Sequence, residues 1–406
     1  MHMNCIISLP GFEEITITKA EMIEGCYHLH MECEKKNHTC PECGNQTQRV
    51  HDYRLQKVQH LKLFERQSVV FYRKRRYVCP CGKRFYETNG FVQRYQRQSV
   101  EWNQALNLRV VKGKTFKETG LLFFTSSSTV MRRFDTLAST QLQEVEELPR
   151  VIAIDEYKGD TDKGKYQLII ADGETRQPID ILPNRSKKTI EQYLRKKGGK
   201  VEIVSMDMSY SFKAALQKVL DKPIIVADRF HFSRYIYWAL DKVRRRVQST
   251  FNDYDRKKGK RVRHLFYKRS ENTTSEDRWI LERYFQLSDE LRRAYDLKEA
   301  YQTWFRFSKE NGAIQLEEMK ERLMDWYVQV EKEKIPEFIE VIKTFQNWQT
   351  EILNSFIFGY SNGFLEGINN QTKVIKRNGF GFRRFDRLRS KVLLHHQFKH
   401  LSFHIG

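Results

Sequence analysis

The amino-acid sequence predicts an α/β protein: a mixed sheet interrupted by an all-helical insertion, preceded by a small metal-clasped ribbon and a short helical region. Three observations predict it. All seven cysteines fall within the first 81 residues. Short apolar segments ending in acids recur between residues 151 and 228, and from 232 to 360 the apolar period becomes helical. A chain of 406 residues with 40% apolar content is long enough for two or three cores.

Charge narrows the partner. Lys and Arg number 72 against 51 Asp and Glu, a formal net charge of +21. Basic residues recur from Arg49 to Arg389 instead of forming one tail. Nucleic acid is therefore the leading partner, ahead of a membrane-facing surface or a purely solubilising charge. No run approaches the roughly 18 apolar residues needed to span a bilayer. The opening MHMNCIISLPGFEEI carries acids at once and lacks a secretory pattern, so residence inside the cell is expected.

Cysteines confined to one end of a chain point to a local thiolate site, not a disulfide scaffold. Cys40-Pro-Glu-Cys43-Gly44 and Cys79-Pro-Cys81-Gly82 each sit in a turn-forming context, with strand-like sequence between them. Two knuckles of this kind converge on a tetrahedral structural zinc ion in a zinc ribbon. Only one residue separates Cys79 from Cys81, which puts that knuckle's geometry in question. Cys26, Cys33, His38 and His51 are substitute ligands, and Cys5 has no evident role. Beside the site, Arg73, Lys74, Arg75 and Arg76 are expected to meet phosphates, or else to form a solvated strand face.

Helical patterns over Ser99–Val110, Thr115–Phe123 and Thr129–Leu137, with the turn Thr125-Ser-Ser-Ser-Thr129, have the lengths of a helix-turn-helix. Its last helix would bury Val130 and Phe134 and offer Ser127, Ser128, Arg132 and Arg133 to DNA. A plain packing hairpin has the same pattern.

The core follows. Val151–Asp155, Lys165–Asp172 and Pro178–Leu182 read as three strands separated by short Gly-containing gaps, a meander of hairpins. A helix over Lys188–Lys197, a strand over Val201–Met206 delivering Asp207, a helix over Phe212–Leu220 and a strand over Pro223–Ala227 delivering Asp228 complete the order. That order is the signature of an RNase H-like sheet, in which the first and fourth strands are neighbours and Asp155 stands beside Asp207. Paired carboxylates repel unless cations neutralise them, and hard Mg²⁺ (or Mn²⁺) binds both carboxylate and phosphate oxygens. Two such ions can drive phosphoryl transfer. A strand-end cap is the bland alternative for either acid alone.

Residues after Phe232 form amphipathic helices as far as Tyr360, and their early part, with Arg244, Arg245 and Arg246, is expected to bear on DNA. Then Glu366, Asn369, Asn370, Lys373 and Arg377 share one polar helix face, with Ile368 and Ile375 opposite. An ordinary Glu-to-Lys surface face would look similar.

Together the early Cys pairs, IDEYKG at 154–159, SMDMSYSF at 205–212, ADRFHFSRYI at 227–236 and LEGINNQTKVIKRNGFGFRRFDRLRSKVLL at 365–394 resemble the ISL3 family of bacterial insertion-sequence transposases, over nearly the whole chain. The resemblance implies a DDE-type enzyme with Asp155, Asp207 and Glu366 as its catalytic, metal-binding triad. Asp228 and His231 resemble an Asp-x-x-His motif that supports such sites, although Asp228 also competes with Asp207 as second ligand. The implied reaction is metal-dependent cleavage at transposon ends, then attack of the freed 3′ hydroxyl on target DNA. Implied partners are the double-stranded DNA of terminal inverted repeats and target, and a second copy of the chain in a dimer or larger assembly. A cytoplasmic, nucleoid-associated bacterial location and no membrane go with this. Five segments result: a zinc-binding domain over 1–92, a helix-turn-helix region over 93–142, the first part of the core over 143–240, a helical insertion over 241–360, and the core's final helix with a tail over 361–406. A nuclease that cuts without joining and a zinc-dependent DNA-binding regulator remain alternatives.

Overall fold

The computed structural model describes residues 15–398, so Cys5 lies outside the described residues. They form two compact units, one over residues 15–143, 377–380 and 397–398 and one over 144–376 and 381–396.

The first unit holds β1 (Ile15–Ile23), β2 (Cys26–Cys33), β3 (His38–Thr39), β4 (Gln46–Thr47), β5 (Val50–Leu63), β6 (Arg66–Val78) and β7 (Arg84–Tyr86). The larger sheet runs β1-β2-β6-β5 with β7 on the end of β6, while β3 and β4 pair by themselves. Its core is small: Leu29, Met31, Val58, Val70, Tyr72 and Phe91 are among its few buried members. Three helices follow, α1 (Val100–Lys112), α2 (Phe116–Leu122) and α3 (Ser127–Gln141). Ser99, Thr115 and Ser126 cap them, each hydroxyl accepting a backbone N–H. Because Ser126 takes the cap, α3 starts two residues before the expected Thr129. Val130 and Phe134 are fully buried on its inner face, as the pattern requires.

The second unit opens with β8 (Val151–Thr161), β9 (Gly164–Asp172), β10 (Pro178–Leu182), α4 (Lys187–Lys197), β11 (Ile203–Met206), α5 (Tyr210–Val219) and β12 (Ile224–Ala227). Strand order is β10-β9-β8-β11-β12, so the first and fourth strands of this sheet are neighbours. The three leading strands pair antiparallel, and β11 runs parallel to both β8 and β12. One expectation needs correcting. The first strand does not end at Asp155 but runs on to Thr161, and Gly159, read as part of a gap, lies inside it. The extension pairs with β9 from Glu156 opposite Leu168 to Thr161 opposite Gly164, and Lys376 Nζ adds a hydrogen bond to Lys158 O at 3.1 Å and an ion pair with Asp160 at 3.0 Å. Gly159 is needed there because a Cβ would lie 1.7 Å from Gln167 Oε1.

Helices α6 (Arg229–Gln248), α7 (Asp253–Arg261), α8 (Ser275–Leu287), α9 (Asp289–Asn311), α10 (Leu316–Glu333), α11 (Pro336–Asn347) and α12 (Gln349–Ile357) come next, then α13 (Gly363–Asn378) and α14 (Phe385–Gln397). The helical segment does not keep a core of its own. Ile152, Ile154, Val204, Met206 and Ile225 on one face of the sheet join a single buried cluster with Phe232, Tyr301, Trp304, Phe345 and Phe356. α6 also runs unbroken through residue 240, where a boundary was expected. No helix among the described residues is long and apolar enough to cross a membrane.

Candidate active site and metal cluster

Strand register decides what the second unit brings together. Ile203, Val204 and Ser205 pair with Val151, Ile152 and Ala153, so continuing that parallel register carries Asp207 opposite Asp155. Ile203–Met206 pair with Ile224–Ala227, which carries Asp228 opposite Asp207. Side chains alternate along a strand, and Ile152, Ile154, Val204, Met206, Ile225 and Ala227 occupy the helical core. The three aspartates therefore share the other face with Val151, Ile203 and Val226, against which Phe358 and Tyr360 pack.

Each aspartate has different company. Asp155 Oδ1 accepts the backbone N–H of Glu156 at 2.7 Å and its Oδ2 accepts Asn369 Nδ2 at 2.6 Å. Burial, and then the neighbouring Asp207 charge, push the Asp155 carboxyl up to about 7. Asp228 caps α6, accepting Phe230 N at 2.8 Å, His231 N at 3.3 Å and, on its second oxygen, Asn362 N at 3.1 Å. Those donors leave Asp228 with little left for a metal, which favours Asp207 of the two rivals. His231 Nδ1 lies 2.9 Å from Asp207 Oδ1 and 3.4 Å from Asp228 Oδ1, outside the angles of a directed hydrogen bond to Asp207. Burial would lower the imidazole, but the two carboxylates outweigh it and raise it to about 9.

Asn369 Oδ1, Ser205 Oγ and Asn362 Oδ1 are buried with no hydrogen-bond partner, and Asp207 Oδ1 faces His231 Nδ1 alone. Carboxylate oxygens suit a hard divalent cation, while among the described residues the four cysteines of the first unit are the one preformed group of three or more metal-binding side chains. Glu366 lies one turn before Asn369 on α13 and is exposed. Among the described residues it makes no hydrogen bond or ion pair with Asp155 or Asp207. Asn370, Lys373 and Arg377 are exposed on the same helix.

Two contributors escaped the sequence reading. Asn362 donates Nδ2 to Ile154 O at 2.9 Å, tying the start of α13 to β8. Arg185 grips Glu156, whose side chain alternates to the other face of β8 from Asp155, at 2.5 and 2.6 Å. The Ser-Asn-Gly stretch before α13 was a legible helix start; nothing in the sequence marks Arg185.

In the first unit, Cys40, Cys43, Cys79 and Cys81 bring their sulfurs within 4.8 Å of one another. Cys40 Sγ is 3.7 Å from Cys81 Sγ, and Cys43 Sγ is 3.4 Å from Cys79 Sγ. A tetrahedron with Zn–S bonds near 2.3 Å has edges of about 3.8 Å, so the four thiols fit zinc even with the compressed second pair. Cys33 is not a substitute ligand, since it is buried against Tyr72 Oη at 3.2 Å.

The basic residues divide. Arg75 is buried, with bonds to Cys33 O at 2.5 Å, Glu32 at 2.7 Å and Glu87 at 3.4 Å, and cannot meet phosphate. Arg244 is likewise buried between Asp241 and Gln248, and Arg246 is shared by Glu290 and Glu337. Arg75 and Arg244 are corrections, because partners in the fold bury each guanidinium; Arg246 stays 46% exposed within its ion pairs. Arg76 is clamped by Asp52, Lys74 lies over Tyr86, and Arg133 donates to Gln96 at 3.1 Å. Arg73, Ser127, Ser128, Arg132 and Arg245 remain exposed.

Comparison with known proteins finds matches over both regions. A family model of ISL3-type DDE transposases, described as "Transposase", matches residues 152–392. A second, "zinc-finger of transposase IS204/IS1001/IS1096/IS1165", matches residues 36–81. The transposase for insertion sequence element IS1001 of Bordetella parapertussis is 24% identical over 394 residues, 93% of this chain and 94% of that protein. The transposase for insertion sequence element IS1557 of Mycobacterium tuberculosis is 23% identical over 246 residues, 54% of each. A Lactococcus lactis protein described as an ATP-dependent protease is 32% identical over 118 residues, which is 29% of this chain and too little to carry an activity across.

Proposed function

The chain belongs to the ISL3-type DDE transposase family, and from that premise we propose that it cuts DNA at the ends of an insertion sequence and joins the freed 3′ hydroxyl to target DNA. The observation that carries this reading is the register that sets Asp155, Asp207 and Asp228 in one row. We assign Asp155, Asp207 and Glu366 as the acidic triad, in a sheet we read as RNase H-like.

Burial, and after it the charge of Asp207, hold the Asp155 carboxyl up at about 7. A divalent ion, Mg²⁺ or Mn²⁺, supplies when bound the charge and Lewis acidity that phosphodiester cleavage and transfer require. Asn369 fixes the orientation of Asp155, and His231 sits between Asp207 and Asp228 and balances their charge. Glu366 extends from the helix that carries Asn369, exposed where DNA would enter. We read α2 and α3 as a helix-turn-helix that presents Ser127, Ser128 and Arg132 to the terminal repeats. Two ends must be held at once, so the working form would be at least a dimer on DNA, in the bacterial cytoplasm and at the nucleoid.

The test uses labelled DNA carrying the inverted repeats that flank the gene, a supercoiled target and Mg²⁺. The parent protein yields 3′-end cleavage and joined products. Asp155→Asn and Asp207→Asn each lose both by at least about a thousandfold, the scale of forfeiting several kcal/mol of charge stabilisation, while repeat binding persists. Cleavage without joining would reduce the protein to a nuclease. Undiminished chemistry in both variants would remove the proposed site.

A further inference from the structure

The helix that presses His231 against Asp207 continues outward with an unusual face. Phe230, Arg234, Trp238 and Arg245 follow at helical steps along α6. Phe230 is 65% exposed and Trp238 49% exposed. Most arginines of this unit are spent on carboxylates, but Arg234 is not. Its guanidinium lies 4.4 Å from the Trp238 ring centroid and 5.9 Å from that of Phe230, and its Nε is buried with no hydrogen-bond partner. Two cavities open along the stripe. One, of about 530 Å³, is walled by Arg234, Trp238, Tyr267 and Asp241, which pairs with Arg245; the other, of about 420 Å³, by Lys260, Ser249 and Arg256, which pairs with Asp253; Arg263 borders both. Among the described residues Lys260 and Arg263 have no carboxylate partner either.

Unneutralised cations beside a cavity call for a polyanion. The aromatic rings say which kind. In a duplex, base faces are covered by their neighbours, so an exposed ring gains nothing from it; an unpaired nucleotide offers its face for stacking and its phosphate to the adjacent cation. From Phe230 to Arg245 the stripe extends about 22 Å along the helix, and its inner end lies within one turn of the aspartate row.

We propose that the groove along α6 binds an unpaired DNA strand, with Phe230 and Trp238 stacking on bases and Arg234, Lys260 and Arg263 holding the backbone. Resting on the transposase reading, that strand is the one melted beside the cleavage point. The groove deepens that reading by naming the form of DNA the site holds.

Fluorescence anisotropy with the full chain, without divalent metal, separates the outcomes. The probes are a labelled oligothymidine and a duplex of equal length. Trp238→Ala should weaken oligothymidine binding about tenfold or more, Trp238→Phe should restore most of it, and duplex affinity should change less than about threefold. Replacing both Lys260 and Arg263 with Ala should lower the salt-dependence slope for the oligothymidine by about 1.4. Trp238→Ala binding the oligothymidine like the parent, or losing duplex and single strand equally, overturns the proposal. If the parent shows this pattern yet never cleaves repeat DNA, the groove stands and the transposase chemistry falls. Cleavage with no single-strand preference sinks the groove alone.

Discussion

The cysteine cluster of the first unit and the aspartate row of the second both gather like-charged ligands from distant parts of the chain, but they are built in opposite ways. The thiols hang on two short turns, with Cys43 and Cys81 exposed and a modest hydrophobic cluster near them. Asp207 and Asp228 follow the last residues of short buried strands and Asp155 lies within β8, in a register set by a large core shared with the helices. In the first case metal closure supplies order that the sequence cannot otherwise afford; in the second the order exists already. The difference separates a brace from a reagent: four sulfurs fill a tetrahedral ion's coordination, whereas the acid row gathers carboxylates in an otherwise finished fold.

Removing metal should therefore split the two regions, and this is the largest effect expected. Structural zinc in small domains is worth roughly 10 kcal/mol or more of folding free energy. A strong chelator should release one zinc per chain and raise hydrogen exchange sharply over residues 36–86, while exchange in β8, β11 and β12 stays near its starting level. Equal loosening of both regions, or of neither, would erase the distinction. Cys40→Ser should reproduce the chelator's effect without chelator.

Zinc is not all that holds the first unit, and acid should expose a second prop. His60 lies on β5 with its Nδ1 2.8 Å from Ser99 Oγ, the cap of α1. Burial holds its imidazole down at about 4 from an ordinary 6.5, even with Glu101 at 4.0 Å. The unfolded chain takes up that proton near pH 6.5 and the folded unit resists it until about 4. The contribution is thus complete above pH 6.5 and is lost as pH falls toward 4, by roughly 3 kcal/mol. Urea unfolding of the first unit's sheet at pH 7 and pH 4.5 reads it. The parent should weaken with acid, and His60→Gln should start less stable and show a flatter dependence.

Legibility in the sequence followed the same division. Strand-helix order in the second unit was readable because short apolar runs ending in Asp155, Asp207 and Asp228 are local patterns, and the four thiols were readable because knuckles are local too. What escaped depends on contacts between distant residues. β8 outlasts Asp155 because its ladder with β9 continues to Thr161, braced from afar by Lys376, and the shared core of sheet and helices is invisible to periodicity. Arg75 looks like any basic run until Glu87 and Glu32 are seen to claim it, whereas Arg244's partner Asp241 stands three residues before it and was open to a helical-spacing argument. The same blindness hid Asn362, whose neighbours Ile154 and Asp228 lie far off in sequence.

The smallest effect probes how finished the acid row is. Asn369 is buried, and its amide is the one side-chain donor to Asp155 among the described contacts. If the fold alone fixes the row, Asn369→Ala should cost about 1–3 kcal/mol of stability for the orphaned carboxylate oxygen and leave cleavage close to that of the parent. If the amide sets the angle at which Asp155 presents its oxygens, cleavage should fall about 10- to 100-fold, the range seen when a ligand loses its orienting partner, with repeat binding intact. We expect the second outcome, because Asp155 gets only one other hydrogen bond, from Glu156 N. Single-turnover cleavage beside a thermal melt distinguishes them. Asn369→Asp should lose more than Asn369→Ala, since it exchanges the donor for another negative charge where Asp207 already crowds Asp155.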